Sequence, residues 1–299
     1  MKTFSKYINI TFLLLLIFNS CETIVDVDLP EIKPQIVVNG ICNPAIPWEL
    51  NISSSKDILD DKNIEAIKDA KIEILENGTP VGIFQHIQDG TYKVLGKKPK
   101  PNVTYHLKVS AKGFETVTST CVIPQQVPIS SVTVDTVNST DPEEFEISKI
   151  NVTLTFSDPP NEDNYYSIIV LQSSVHDTLN VNPIWFYSND LIIDVKETNL
   201  LGDENQRFSG SEAFFNDELI NGKEYNLNLN FSFFNYDNSQ EFTIVLNTLN
   251  YDYYKYLETL KAQRKTNDNP FAEPVIVYNN IKNGLGIFAG YSTSKFKIE

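Results

Sequence analysis

Apolar and polar residues alternate with a period of two along much of this chain, and that pattern most limits how it folds. Ile150, Val152, Leu154 and Phe156 are separated by Asn151, Thr153 and Thr155, and Leu227, Leu229, Phe231 and Phe233 by Asn228, Asn230 and Ser232. A strand sends successive side chains to opposite faces, so each run gives one buried and one wet face; a helix would scatter the apolar set. Shorter alternations, Ala70–Ile74 and Tyr105–Val109, are followed by Asn77-Gly78 and Lys112-Gly113, while Asp89-Gly90 precedes Tyr92 and Val94. Such dipeptides supply the positive φ of tight hairpins, and strands punctuated at this spacing predict antiparallel sheets in a sandwich.

The 299 residues are enough for two cores. The first domain is expected over residues 31–123, a linker over 124–128 where Pro124 and Pro128 oppose sheet pairing, and the second domain over 129–299. Within the second, residues 176–222 show weak periodicity and predict a long excursion with short strands. A single helix is expected, over 251–265. Asn250 caps it, Tyr253, Tyr256, Leu257 and Leu260 share a face, and Lys261, Arg264 and Lys265 favour its C-terminal dipole. Pro270 stops it.

The first twenty residues read as a leader and not as fold. Lys2 and Lys6 precede an apolar run, Ile8 to Phe18, of eleven residues, too short to span a bilayer as a helix. The run ends in Asn19-Ser20-Cys21 with no A-x-A-like cleavage site nearby, which predicts a bacterial lipobox: signal peptide 1–20, lipidated Cys21, and a tether over 21–30. Loss of Lys2 and Lys6 takes the formal charge two units below its value of −15. A chain this acidic is repelled by anionic headgroups and by nucleic acid, so the lipid is expected to be the membrane contact and nucleic acid is excluded as a partner. Two cysteines remain, Cys42 and Cys121, either paired as a disulfide or buried as free thiols.

No catalytic set is legible. Gly284-x-Gly286-x-x-Ala289 matches a loose dinucleotide fingerprint, but the chain ends at Glu299, before the acidic residue that fingerprint needs; the glycines are expected to serve a bend or bulge in closely packed strands. Asp158-Pro159-Pro160-Asn161-Glu162-Asp163 opens like a calcium loop, yet Asp163 stands where an EF-hand needs Gly and Ile169 where it needs Glu. An acidic turn or a calcium site of another kind between strands remains. His86, His106 and His176 lack zinc or triad spacing, so no metal or cofactor is assigned. Trp185, Phe186 and Tyr187 form the best ligand-contact candidate, with core packing as the competing account.

Cys21, then Val25-Asp26-Val27-Asp28-Leu29-Pro30, Gln35-Ile36-Val37-Val38-Asn39-Gly40, Gly90-Thr91-Tyr92, Asn269-Pro270-Phe271 and Asn280-Ile281-Lys282-Asn283-Gly284-Leu285-Gly286-Ile287-Phe288 together resemble the Bacteroidetes lipoproteins grouped as domain of unknown function 4249. The resemblance spans essentially the whole mature chain. It implies a lipid-anchored outer-membrane protein of a family frequently encoded beside TonB-dependent receptors that open with a carboxypeptidase-regulatory-like domain, and it transfers no catalytic residue.

The expected fold is therefore mainly β: an N-terminal immunoglobulin-like or carboxypeptidase-regulatory-like sandwich, then a second sandwich-like domain with one helix near the C-terminus. The expected function is non-enzymatic: an accessory or ligand-binding lipoprotein serving a TonB-dependent receptor in nutrient uptake. A lipid-anchored hydrolase using a carboxylate pair on glycan or peptide is the alternative, discriminated by a deep pocket with two raised carboxyl groups.

Overall fold

The computed structural model describes residues 33–57, 60, 63–138, 147–174, 177–193, 207–234, 240–267 and 273–298. Cys21, the tether, His176 and Asn269-Pro270-Phe271 lie outside them.

Among the described residues the strands form three sheets. The largest joins β1 (Ile36–Cys42), β2 (Glu49–Ser54), β5 (Gln85–Gln88), β6 (Thr91–Lys93), β11 (Tyr165–Ser174), β12 (Asp177–Ile184), β15 (Glu212–Asn216), β17 (Gln240–Leu249) and β18 (Leu285–Ile298). A second holds β9 (Ile129–Asn138), β10 (Ile147–Ser157), β13 (Phe186–Ser188), β14 (Phe208–Gly210) and β16 (Glu224–Phe234). The third holds β3 (Lys71–Glu76), β4 (Thr79–Pro80), β7 (Thr104–Ser110) and β8 (Val117–Val122).

Local chemistry accounts for the hairpins. Asn77 and Gly78 take φ of 50° and 80° between β3 and β4, and Asp89 and Gly90 take 46° and 76° between β5 and β6, as two-residue hairpins require. The alternating runs pair with each other: Val152 faces Leu229 and Leu154 faces Leu227 across β10 and β16. All four point inward. On the wet face of the same pair the Thr153 and Thr155 hydroxyls donate to Asn228 and Asn226 Oδ1 at 2.8 Å.

Two hydrophobic cores result. One contains Ile36, Val38, Trp48, Leu50, Ile74, Tyr105 and Leu107; the other contains Val152, Leu154, Phe156, Tyr166, Ile168, Phe186, Leu227, Phe231 and Leu246. The segment 124–128 runs between them without strand pairing but is tied to the second: Val127 is buried in its core and donates to Thr248 Oγ1 at 3.1 Å, and the Pro124 carbonyl accepts from the Ser292 hydroxyl at 2.6 Å. The assignment of everything after it to the second domain needs correction, however, because Ile281 and Phe288 belong to the first core.

The cause is β18, a 14-residue strand that changes partner midway. Leu285–Gly290 runs parallel to Val37–Cys42 of β1, and Tyr291–Ile298 runs antiparallel to β17. One strand thus completes both sandwiches, and residues 34–299 form one compact unit.

The motif 280–288 is the device that seats this strand. The Asn280 side chain accepts from the Phe288 amide at 2.9 Å and donates to the Phe288 carbonyl at 2.8 Å, so it stands in for a neighbouring strand. Gly286 adopts φ +110°, and a Cβ there would sit 2.0 Å from the Val38 carbonyl oxygen. The glycines serve close strand approach, as the failed dinucleotide fingerprint suggested.

The helix α1 spans Tyr251–Asn267, two residues longer than expected. Asn250 caps it as predicted: its Oδ1 accepts from the Tyr253 amide at 3.0 Å. Asn250 also exchanges backbone and side-chain bonds with Gly290, the last β18 residue paired with β1, so the helix starts where β18 changes partner. The expected apolar face is not what the fold buries most deeply. Tyr254 is the helix's buried residue, its ring centre 4.8 Å from that of Tyr165 and tilted by 32°, while Tyr253, Tyr256, Leu257 and Leu260 are half-buried. Part of the reason is that the segment after α1 folds back on it, the Tyr278 amide donating to Thr259 Oγ1 and its hydroxyl to Asp252, so the helix is covered on more than one side.

Candidate functional site

Two crossings of the chain between sheets build a groove on the second sandwich. Trp185 is the single residue between β12 and β13, which lie in different sheets. Its neighbours turn inward, Ile184 half-buried and Phe186 fully buried, so the indole is left outside, 63% exposed. The chain recrosses at Ser211, between β14 and β15. Alternation along β15 sends Ala213 and Phe215 into the core and turns Glu212 and Phe214 outward, where Leu257, Leu260, Lys261 and Arg264 of α1 meet them. Trp185 completes a groove of about 400 Å³.

The groove is aromatic and basic. Lys261 Nζ lies 5.6 Å from the Phe208 ring centre and 5.8 Å from that of Phe214, a cation held over two aromatic faces. Arg264 and Lys265 are exposed beside it on the last helical turn. These charges meet an exposed indole on a chain whose formal charge is −15.

Glu212 is the carboxylate among the described lining residues. Burial pushes its carboxyl above the ordinary range, opposed by a hydrogen bond from the Ser167 hydroxyl and by the Lys261 charge. Ser167 belongs to a polar ladder on the sheet face turned away from the core. Asn43 Nδ2 donates to Thr293 Oγ1 at 3.1 Å, Thr293 donates to Asn247 Oδ1 at 2.8 Å, and Asn247 Nδ2 donates to Ser167 Oγ at 3.1 Å. Strand register sets Ser167 opposite Asn247 and Asn247 opposite Thr293, so these contacts follow directly from pairing. Residues Tyr253 and Tyr254 of α1 pack on the same face against Tyr291 and Tyr165, keeping the ladder from water.

The residues singled out from sequence separate. Trp185 lines the groove, while Phe186 is removed from the contact set because it is 0% exposed and packs on Phe208 at 5.1 Å in the core. Tyr187 is half-buried in the β13 ladder, opposite Ser209 and Asn230. Cys42 and Cys121 are free, buried thiols in the first core, and burial raises both well above the ordinary thiol range. His86 accepts from the Gly90 amide and packs on Tyr92, while His106 lies on β7 in the other sheet of that sandwich. Sequence reasoning missed Glu212 and Phe214 as site residues, and it read Lys261 and Arg264 only as dipole partners. Outward alternation on β15 was the available signal, but nothing local joined it to Trp185 or to the helix.

A second concavity of about 610 Å³ lies on the first sandwich, beside Trp48, Glu76, Lys97, Lys98 and Lys100. Its Trp48 is 2% exposed, and Lys98 and Lys100 are engaged by the Ala45 carbonyl and Glu76, each at 2.6 Å. Among the described residues no three His, Cys, Asp or Glu side chains gather as metal ligands.

Fold and site together define a mainly β protein whose two sandwiches share one strand and whose single described helix walls a basic, aromatic groove. Residues 22–297 match the family model "Domain of unknown function (DUF4249)", and the chain belongs to that family. The search of curated proteins gave no match. Among solved structures the chain is similar to a mutant of Salmonella alpha-2-macroglobulin, with 13% identity over 77% of this chain and 14% of that one, at a TM-score of 0.25. That likeness is too weak to carry an argument.

Proposed function

We propose that this is a non-enzymatic, lipid-anchored accessory protein of the outer membrane, and that it holds its ligand or partner receptor at the groove walled by α1. The observation that carries the reading is Trp185, 63% exposed at the rim of a concave surface bearing Lys261, Arg264 and Lys265. Large aromatics with neighbouring cations are the residue types that dominate binding energy when desolvated by a partner. The groove has one carboxylate among its described lining residues, where glycoside hydrolysis needs an opposed pair, and this favours binding over the hydrolase alternative. Anchoring through Cys21 and service to a TonB-dependent receptor rest on the leader sequence and the family resemblance.

Site-specific photocrosslinking in the native membrane tests it. A benzophenone side chain in place of Trp185 is expected to capture a discrete outer-membrane partner, and one in place of Ile83, 85% exposed on the first sandwich, is not. Equal capture from both positions, or none from Trp185, refutes the groove as the contact.

A further inference from the structure

Two connections meet at one end of the second sandwich: residues 158–164, between β10 and β11, and residues 217–223, between β15 and β16. Each begins with an aspartate, and each aspartate is stitched to the other connection. The Asp158 amide donates to the Lys223 carbonyl at 2.9 Å, and its carboxylate accepts from the Gly222 amide at 2.9 Å and the Tyr166 hydroxyl at 2.5 Å. The Asp217 amide donates to the Asn164 carbonyl at 3.1 Å. The corner is tight: Asn161 and Gly222 take φ of 69° and 70°, and a Cβ on Gly222 would lie 3.1 Å from Pro160.

Asp158 is 4% exposed and Asp217 5%. Their electrostatic situations differ. Asp158 has donors on both oxygens, whereas Asp217 Oδ2 is buried with no hydrogen-bond partner among the described residues. Native proteins rarely leave a buried carboxylate oxygen unmatched, because desolvation without compensation is costly. Asp158 and Asp217 thus bury two carboxyl groups in one corner, each connection bonded to the other. Oxygen is the donor this corner has in excess. Among the described residues the Pro159 and Glu162 carbonyls each accept one 3.2 Å bond from Asn164 Nδ2, which leaves each a lone pair.

We infer that this corner binds a divalent cation of the hard, oxygen-seeking class, calcium, between Asp217 and Asp158 with backbone carbonyls of the 158–164 connection. Carboxylate and carbonyl oxygens suit calcium, whose coordination tolerates irregular geometry, and the set contains no thiolate or imidazole for zinc. The carboxylates come as a pair and not as a trio, so the site belongs to the weak class, with Kd on the order of 10⁻⁴–10⁻³ M. The acidic loop that failed as an EF-hand supplies half of the site, and the end of the strand carrying Glu212 and Phe214 supplies the other.

The test uses the mature chain stripped with chelator. Millimolar calcium is expected to raise Tm saturably by several degrees over ionic-strength-matched NaCl, with magnesium doing less. Asp217→Asn is expected to abolish that response, and Asp163→Asn, at an exposed neighbour, to retain it. Terbium, excited through the adjacent Tyr165 and Tyr166, is expected to luminesce at one calcium-displaceable site per chain, a readout on wild-type protein that does not depend on the variant folding. Absence of a calcium-specific Tm shift, an undiminished shift in Asp217→Asn, or terbium binding that neither saturates near one per chain nor yields to calcium overturns the site.

Discussion

Replacing Gly286 by alanine tests the claim that β18 completes two sandwiches through close backbone approach. In the β1–β18 ladder Gly286 stands opposite Val38 with φ +110°, and the new Cβ would lie 2.0 Å from the Val38 carbonyl oxygen and 2.9 Å from its carbonyl carbon. Two costs add. Positive φ disfavours an L-residue by about 1–2 kcal/mol. Relieving the overlap by pushing strands apart costs about 1–3 kcal/mol in packing, and more as ladder bonds between Val37–Cys42 and Leu285–Gly290 lengthen. The sum, roughly 3–5 kcal/mol, is a large share of the ~5–15 kcal/mol that holds a typical protein folded. At ~2–4 °C per kcal/mol the expected fall in Tm is about 6–20 °C. Gly113→Ala is the control, because its φ is +88° and nothing lies within 4 Å of the added Cβ. It incurs only the conformational cost, about 1–2 kcal/mol. Thermal melts of the two variants side by side decide the matter: a Gly286→Ala protein melting within two or three degrees of Gly113→Ala would show that β1 and β18 are not in the described contact.

The neighbours Trp185 and Phe186 are expected to part company on substitution. Phe186→Ala, a fully buried core change, should cost ~3–5 kcal/mol in a urea melt, whereas Trp185→Ala forfeits at most roughly 2 kcal/mol from the third of its surface that is covered. A larger loss at Trp185 than at Phe186 would contradict the inward and outward assignment. Glu212 titrates above its ordinary 4.5 in the folded state, so protonation favours folding, and its contribution grows as pH falls through the raised value toward 4.5. Tm measured from pH 7.5 to 5 should therefore drift upward more in the wild type than in Glu212→Gln, and identical profiles would reject the burial argument. Cys42 and Cys121 are expected to resist a thiol reagent in the native protein and to titrate as two groups once it is unfolded without reductant. Finding no reactive thiol after unfolding would mean that the pair is oxidised.

What the sequence determined by itself lies within short windows. Period-two runs marked β7, β10 and β16, because burying one face of a strand is a local requirement on composition. Asn77-Gly78 and Asp89-Gly90 marked hairpins through backbone preference alone, and Asn250 marked the helix start through one side-chain bond.

The tertiary structure decided whatever depends on partners distant in sequence. Nothing near Leu285 announces that it pairs with β1, and nothing near Tyr291 that the same strand then turns to β17. Trp185 and Phe186 look alike in sequence. A single crossing between sheets fixed which ring the core took and which it left to solvent. Likewise the groove brings together β15, the β12–β13 crossing and the basic end of α1, each unremarkable alone. Asp217 carried no local mark at all, since an aspartate after a strand reads as a solvated turn until the fold shows what has covered its oxygen. Propensity and alternation act over a few residues, whereas burial and strand partnership are properties of the assembled chain.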